Sequence, residues 1–263
     1  MEPLRELSQL NKLTSPFLRR NVMTNCFLPA GEFVRYMEKE AAFFTAGDDA
    51  LVILLKKTDH DLIYYYIKEG GRPPAIGLSR PTVLEIVRRD ERQAQAAELW
   101  QQAGFRLAVT RERMECTALH PTPVAEQGVF AAGEERAGEI MDLLCAGFDH
   151  LTGCIPEKEE LTGCLARREI LCIEENGRIE ALVHFRNEKA VSEIRHLLVA
   201  AGSRGRGLAG RVVNRYKTQL IGTSFKLRLW VKEDNLTART FYEKNGYRCD
   251  GLKADVLIAA NNI

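Results

Sequence analysis

The sequence predicts an α/β fold of the α+β type, in which a mixed, mostly antiparallel sheet is flanked by helices in each of two halves. The first observation is an apolar strand-like run, Val191–Val199, which leads through a glycine-rich loop into a helical segment. The second is a further strand and helix, Lys226–Val231 and Leu236–Lys244. The third is an Asn176-Gly177 pair between two apolar runs, because this pair readily adopts the positive φ angles of a two-residue hairpin turn.

The other elements of the C-terminal half follow from residue spacing. Apolar residues at helical intervals predict helices over Glu135–Phe148 and Lys158–Arg168. The runs Ile170–Ile173 and Ile179–Phe185 are predicted to form the hairpin, and Ala254–Ala259 the last strand. The predicted order is two helices, a hairpin, a strand, a loop with a helix, a strand, a helix and a final strand.

The loop after Val199 has the composition of a phosphate-binding turn. It contains the run Arg204-Gly205-Arg206-Gly207-Leu208-Ala209. Because glycine lacks a Cβ atom, backbone N–H groups of the loop and of the following helix can point at a pyrophosphate group. The other interpretation of a glycine pair after a strand is an ordinary tight turn.

Two motifs stand out in the loop and in the segment downstream of it. Arg204, Gly207 and Ala209 form an R-x-x-G-x-A pattern. An N-x-x-A-x-x-F-Y-x-x-x-G-Y pattern is formed by Asn235, Ala238, Phe241, Tyr242, Gly246 and Tyr247. Together they resemble the GNAT superfamily of N-acetyltransferases, whose signatures are Q/R-x-x-G-x-G/A and N-x-x-A-x-x-F-Y-x-x-x-G-Y/F. The resemblance covers the chain from about Val129 onward. It departs from the family at Ala201, where many members have proline.

The resemblance implies an acetyl-CoA-dependent N-acetyltransferase, in which an amine attacks the thioester directly and CoA is the product. Lys plus Arg (37) nearly balance Asp plus Glu (36), which gives a formal net charge of +1. This balance and a covering N-terminal half favour a small-molecule primary amine as acceptor. The alternatives are a lysine or N-terminal amine of a peptide or protein, and an acyl-CoA-binding sensor module without turnover.

The resemblance also implies which residues hold the cofactor. Backbone groups of Leu197, Leu198 and Val199 would contact the pantetheine arm, while their side chains pack in the core. The pyrophosphate would bind at the loop, formed by Arg204, Gly205, Arg206, Gly207, Leu208 and Ala209. Asn235 would contact the cofactor, cap the helix that starts at Leu236, or do both.

Two side chains are implied to carry the chemistry. Tyr242 would be the general acid toward the CoA sulfur, and its alternative role is packing beside Phe241. Glu193 would be the general base, and its alternative role is a strand charge paired with Arg195. His196 is a competing base, but strand alternation predicts that it lies on the opposite face from Glu193 and is packed there.

The N-terminal half contains a fainter copy of the same plan. A hairpin over Ala50–Lys57 and Asp61–Ile67 precedes a strand, Thr82–Val87, and a helix, Arg92–Gln102. That helix is followed by Ala103-Gly104-Phe105, as the C-terminal helix is followed by Asn245-Gly246-Tyr247. The match indicates an internal duplication, and it resembles tandem GNAT proteins.

This copy lacks the phosphate loop. Between Ile67 and Thr82 the chain is too short for a strand, a loop and a helix, and three prolines there prevent a regular helix. We therefore expect a degenerate, non-catalytic domain over residues 1–125 and a catalytic domain over residues 126–263. The helices predicted over Pro3–Leu13 and Pro16–Phe27 would help to cover the acceptor side.

Composition sets further limits. The longest apolar run, Ala50–Leu55, is far shorter than the roughly 20 residues of a membrane-spanning helix. The N-terminus has no signal-peptide core, so a cytoplasmic protein is expected, without a membrane or nucleic-acid partner, as a monomer or homodimer. Seven cysteines occur without a C-x-x-C pair, and the five histidines have no metal-ligand spacing, so no disulfide framework and no metal are expected.

Overall fold

The computed structural model describes residues 1–18, 21–89, 91–117, 128–223 and 226–259. Its elements, in chain order, are β1 (Glu2–Pro3), α1 (Leu7–Thr14), β2 (Val22–Thr24), α2 (Ala30–Glu38), β3 (Ala42–Ala46), β4 (Ala50–Lys56), β5 (Asp61–Lys68), β6 (Thr82–Arg88), α3 (Glu91–Gln102), β7 (Arg106–Cys116), β8 (Val129–Ala131), α4 (Ala137–Gly147), α5 (Lys158–Ala166), β9 (Ile170–Glu175), β10 (Arg178–Glu188), β11 (Val191–Val199), α6 (Leu208–Gln219), β12 (Lys226–Lys232), α7 (Leu236–Lys244) and β13 (Arg248–Ala259). Short 3₁₀ turns cover Ser15–Phe17, Glu134–Arg136 and Ala201–Ser203.

The chain forms two compact units. Unit 1 contains Met1–Thr110 and Leu252–Ile263, and unit 2 contains Arg111–Gly251. The predicted boundary near residue 125 lies outside the described residues. In each unit, the strand beside the parallel pair comes from the other half of the chain: β13 pairs with β6 in unit 1, and β7 pairs with β12 in unit 2.

Unit 1 is a sheet with helices on its two faces. Its strand order is β1-β3-β4-β5-β6-β13, and β2 also pairs with β5. The pairs between its described strands are antiparallel except β5 with β6. Alternating residues of β5 divide between two cores, because Ile63 and Tyr65 pack with α3, whereas Leu62 and Tyr64 pack with α1 and α2.

Unit 2 repeats this layered plan with the order β8-β9-β10-β11-β12-β7. Among its described strands, only β11 and β12 pair in parallel. One face of the sheet packs on α6 and α7, and the other packs on α4 and α5. Gly147 ends α4 against β11, where an added Cβ atom would clash with Leu198 Cδ1 unless that side chain moved.

The predicted elements of unit 2 are confirmed with small changes at their ends. Strand β11 and helix α7 have the predicted bounds, and Asn176 and Gly177 have φ angles of 51° and 77°, as the hairpin turn requires. The last strand starts earlier than predicted, at Arg248, and Lys253–Ala259 pairs with β6 of unit 1. Its six consecutive buried residues from Ala254 onward fit a strand whose two faces are both covered.

The opening of the chain differs from the prediction. A helix is present at Leu7–Thr14, but the helix predicted over Pro16–Phe27 is wrong. Ser15–Phe17 is a 3₁₀ turn and Val22–Thr24 is a strand on β5. This segment forms a strand because the edge of β5 supplies backbone hydrogen-bond partners. Such a contact between distant parts of the chain cannot be predicted from the spacing of apolar residues within the segment. Helix α2 and strand β3 were not predicted.

No described helix combines the length and apolar character needed to span a bilayer. The described residues also contain no group of three or more His, Cys, Asp and Glu side chains arranged to bind a metal ion.

Candidate active site

Strands β11 and β12 separate partway along their length. Their parallel pairing begins at Val191 with Lys226 and stops at Ile194 with Leu229. Beyond this point β11 continues to Val199 beside β10 alone, and β12 continues to Lys232 beside β7. The two strands therefore diverge into a cleft, and the facing edge of β11 offers backbone groups to an extended ligand.

A β-bulge lies where the two strands separate. In the β10–β11 ladder, Phe185 pairs with Ile194 and His184 pairs with His196, which leaves Arg195 as an extra residue. Because the bulge shifts the alternation by one residue, Glu193 and His196 lie on the same face of the sheet. The prediction of opposite faces is therefore wrong. The missing signal is the bulge itself, since no glycine marks it in the sequence.

The phosphate-type loop lies at the end of this cleft. Gly205 and Gly207 have φ angles of +78° and +75°, in the left-handed region that favours glycine. Gly207 is the N-cap of α6, and no side chain of the described residues caps that helix end. The first backbone N–H groups of this 12-residue helix therefore remain available to an anion.

The two loop arginines differ in their contacts. The exposed Arg204 forms no hydrogen bond or ion pair with another described residue. Arg206 forms a two-pronged ion pair with Glu175, with Nη1–Oε2 and Nη2–Oε1 distances of 2.9 and 2.8 Å. Its Nη1 also lies 3.2 Å from Ser203 Oγ, and that hydroxyl donates to Glu180 at 2.7 Å. These contacts hold Arg206 against the β9–β10 hairpin, so its backbone amide is the group that the loop can offer.

Tyr242 lies on the face of α7 that packs against the sheet. It is 7% exposed, and its ring contacts those of Phe241 and Tyr247 at centroid distances of 5.4 and 5.6 Å. Burial raises the pKa of the Tyr242 phenol, which keeps it protonated at neutral pH. Its hydroxyl has no hydrogen-bond partner among the described residues. The phenol is therefore a proton donor that the protein leaves available.

Glu193 is an ion-paired strand residue. Its carboxylate accepts a hydrogen bond from Arg195 Nη1 at 2.7 Å, and its side chain is 25% exposed. Across the strands it stands opposite Arg186 of β10 and Arg228 of β12. Its carboxylate therefore lies among cations on the sheet face that carries His196.

His196 is packed and fully hydrogen-bonded. Its Nε2 lies 2.9 Å from the Gly153 carbonyl oxygen and its Nδ1 lies 3.0 Å from Nδ1 of His184. Since a carbonyl oxygen only accepts, Nε2 of His196 carries the proton, and Nδ1 of a neutral ring accepts from His184. Desolvation lowers the pKa of His196 to about 4 and that of His184 to about 3. Because both ring nitrogens of His196 take part in hydrogen bonds, this ring cannot also accept a proton from the substrate.

Residues 139–247 match the model of the Acetyltransferase (GNAT) family. This part of the chain is a GNAT acetyltransferase domain. It contains the separated strands, the loop, and helix α7 with Tyr242.

Solved structures of GNAT proteins share the fold over most of the chain. A GCN5-related N-acetyltransferase from Sphaerobacter thermophilus has a TM-score of 0.60 at 17% identity, covering 90% of this chain and 88% of that chain. A GNAT-family acetyltransferase from Colwellia psychrerythraea has a TM-score of 0.57 at 13% identity, covering 99% of both chains. A tandem GNAT protein from the clavulanic acid biosynthesis pathway has a TM-score of 0.54 at 12% identity, covering 84% of this chain and 83% of that chain. No curated protein sequence matches this chain.

The remaining residues predicted at the GNAT cofactor site have clear structural roles. Leu197 and Val199 pack toward α6, and Leu198 packs toward α4 and α5, so their side chains belong to the core. Leu208 is buried and Ala209 half-buried in the first turn of α6. Asn235 caps α7, because its Oδ1 accepts a hydrogen bond from the Ala238 amide at 3.0 Å.

The domain fits acetyl-CoA by the chemistry that its backbone offers. The edge of β11 beyond Ile194 can pair with the amides of a pantetheine arm, and the uncapped start of α6 can hold a pyrophosphate. Both features lie on one strand–loop–helix segment, Val191–Gln219, in the order in which the two parts occur in the cofactor.

Proposed function

We propose that this chain is an acetyl-CoA-dependent N-acetyltransferase that acetylates a primary amine of a small molecule. The observation that carries the proposal is the cleft between β11 and β12, with left-handed Gly205 and Gly207 and the uncapped start of α6 at its end. An ordinary tight turn would need neither the separated strands nor an open helix end.

The protein's contribution to binding is mostly backbone. Leu197, Leu198 and Val199 present the strand edge, and the loop from Arg204 to Ala209 presents amide groups to the pyrophosphate. Arg204 adds an exposed cation, and Asn235 lies at the start of the helix that carries Tyr242. Acetyl-CoA supplies the acetyl group as an activated thioester.

Two side chains divide the proton transfers. A primary amine is mostly protonated at neutral pH, so it must lose a proton before it can attack. Glu193 is the proposed acceptor of that proton, directly or through water, and an ammonium group competes with Arg195 for the same carboxylate. Tyr242 is the proposed donor to the sulfur that leaves, because its phenol is protonated and has no other described partner.

Calorimetric and thermal-shift titration with acetyl-CoA and CoA tests the proposal. Ligand at a hundredfold excess over its Kd stabilises the folded state by about 2.7 kcal/mol. We expect binding by the wild-type protein and none by Gly207→Asp. The aspartate adds a negative charge at the phosphate site and strain at a φ of +75°.

Gly222→Asp is the matched control. Gly222 has a φ of +82° and, like Gly207, open space around its missing Cβ atom, but it lies beyond the opposite end of α6. The control should bind CoA like wild type, and an amine panel with detection of the released thiol then identifies the acceptor class. No binding by wild type at millimolar ligand, or equal loss in both variants, would contradict the proposed cofactor site.

A further inference from the structure

Unit 1 contains its own pair of diverging parallel strands. Strands β5 and β6 pair only at Asp61 with Thr82 and at Leu62 with Val83. Beyond these residues β5 continues to Lys68 and β6 continues to Arg88. This is the arrangement of β11 and β12 in unit 2, where the separated strands form the proposed cofactor cleft.

In unit 1, a segment of the same chain occupies the edge of β5 that this separation exposes. Strand β2 pairs antiparallel with β5, with Val22 opposite Lys68, Met23 opposite Ile67 and Thr24 opposite Tyr66. The Thr24 hydroxyl also donates to the Tyr65 carbonyl at 2.6 Å.

Asn25 then bridges the two strands where they diverge. Its Nδ2 donates to the Ile63 carbonyl of β5 at 2.9 Å and to the Glu85 carbonyl of β6 at 3.1 Å. Its Oδ1 accepts from the Tyr65 amide at 2.8 Å. The side-chain amide therefore makes the contacts that an amide of an extended ligand would make between two separated strands.

This segment is built into the core. Asn25 is 8% exposed, and its amide uses both donors and its acceptor. Met23 is also buried, in the cluster that contains α3. Displacing residues 22–25 would leave several backbone groups of β5 and β6 without partners, so a ligand has little to gain by competing for the cleft.

The helix of unit 1 also lacks the proposed acid. The two helix ends match in detail: Phe105 N bonds to Trp100 O at 3.0 Å, as Tyr247 N bonds to Tyr242 O at 3.0 Å. In both pairs the rings meet edge to face. Trp100 thus occupies the position that Tyr242 holds in unit 2, and an indole N–H does not protonate a thiolate.

We infer that residues 22–25 close the cleft of unit 1 from within, so that the chain binds one CoA molecule rather than two. The binding of one CoA molecule rests on the proposed function of unit 2. The closure itself rests on the contacts of Asn25 and β2 alone. Unit 1 is then a GNAT-like half in which a segment of the chain takes the place of the cofactor.

Hydrogen exchange in the ligand-free protein tests the closure. In wild type we expect the Tyr65 amide to exchange at least a hundredfold more slowly than an unstructured amide, because Asn25 holds it. Asn25→Ala should remove most of this protection, whereas Asn11→Ala, at an exposed site on α1, should leave it unchanged. Fast exchange of Tyr65 in wild type would overturn the closure, and this measurement does not require the variant to fold.

Calorimetry with CoA on the full chain tests the count. We expect a stoichiometry of about one in wild type and no residual site in Gly207→Asp. A stoichiometry of two, or one site that survives Gly207→Asp, would overturn the inference. If wild type binds no CoA, the proposed function of unit 2 fails, and the exchange rate of Tyr65 still decides whether unit 1 is closed.

Discussion

Two tyrosines at the end of α7 are similar in burial and differ in their proposed chemistry. Tyr242 is 7% exposed and Tyr247 is fully buried, and the Tyr247 hydroxyl has no hydrogen-bond partner among the described residues. We expect Tyr242→Phe to lower kcat by about 100- to 10,000-fold, the range of a lost general acid, with unchanged affinity for CoA. Steady-state kinetics with calorimetry measures both.

Tyr247→Phe is the control for this substitution. It removes a buried hydroxyl without a partner, so kcat should not change, and stability should stay equal or rise by about 1 kcal/mol. Equal losses of kcat in the two variants would assign Tyr242 a packing role.

Glu193→Gln tests the proposed base in the same kinetic series, because a glutamine side chain still accepts a hydrogen bond from Arg195. Its activity should recover at high pH, where the amine loses its proton unaided.

At the scale of elements, the bulge in β11 and the His184–His196 pair fix the loop between α4 and α5. His196 packs edge to face against Phe148 with ring centroids 4.7 Å apart, and its Nε2 donates to the Gly153 carbonyl in the loop that follows. The positions of α4, α5 and β11 could be predicted from apolar spacing. The bulge could not, because Arg195 is an extra residue only in relation to the strand β10.

The histidine pair predicts how stability depends on pH. The folded-state pKa values of His196 and His184 lie near 4 and 3, below the value near 6.5 of an unfolded histidine. Below pH 6.5 the unfolded chain binds protons that the folded chain does not. The contribution of the two neutral histidines to the free energy of unfolding is therefore complete above pH 6.5 and is lost as the pH falls toward 4. For His196 alone the loss amounts to about 3 kcal/mol.

Urea unfolding between pH 4 and 8 measures this dependence. The charges near the pair that affect its titration are Arg195, Arg167 and Arg111, and all three disfavour the protonated rings. His196→Gln keeps a side chain that can donate and accept but does not titrate, so its unfolding free energy should fall less steeply below pH 6.5. An unchanged slope would show that the pair is not the titrating element.

At the scale of the molecule, the sequence predicted most elements but not which strands pair between distant parts of the chain. The internal similarity was visible because helix ends such as Ala103-Gly104-Phe105 depend on local chemistry. The pairing of Lys253–Ala259 with β6, and of Arg111–Cys116 with β12, joins residues more than 100 positions apart. Apolar alternation identifies such strands, but it does not identify their neighbours.

Truncation after Gly251 tests the division of the chain into units 1 and 2. Each unit contains one of the two tryptophans, Trp100 in unit 1 and Trp230 in unit 2, so the fluorescence of each unit can be followed separately. The lost segment includes the buried Val256, Leu257 and Ile258, and burial of each contributes about 1.5–3 kcal/mol. It also includes Asp255, whose carboxylate bonds to Arg88 and Thr110 in unit 1. Losing the burial energy of these three side chains lowers the free energy of unfolding by an amount comparable to the whole stability of a domain.

We therefore expect the truncated chain to lose the structure of unit 1. The measurement is the emission of Trp100 in a Trp230→Phe background, which should shift to the red as the buried indole becomes exposed, with a Trp100→Phe background reporting on unit 2. A single boundary near residue 125 predicts instead that Trp230 becomes exposed and Trp100 stays buried, because the deleted strand would then belong to the C-terminal domain. A red shift confined to Trp230 would support that boundary and contradict the assignment of residues 252–259 to unit 1.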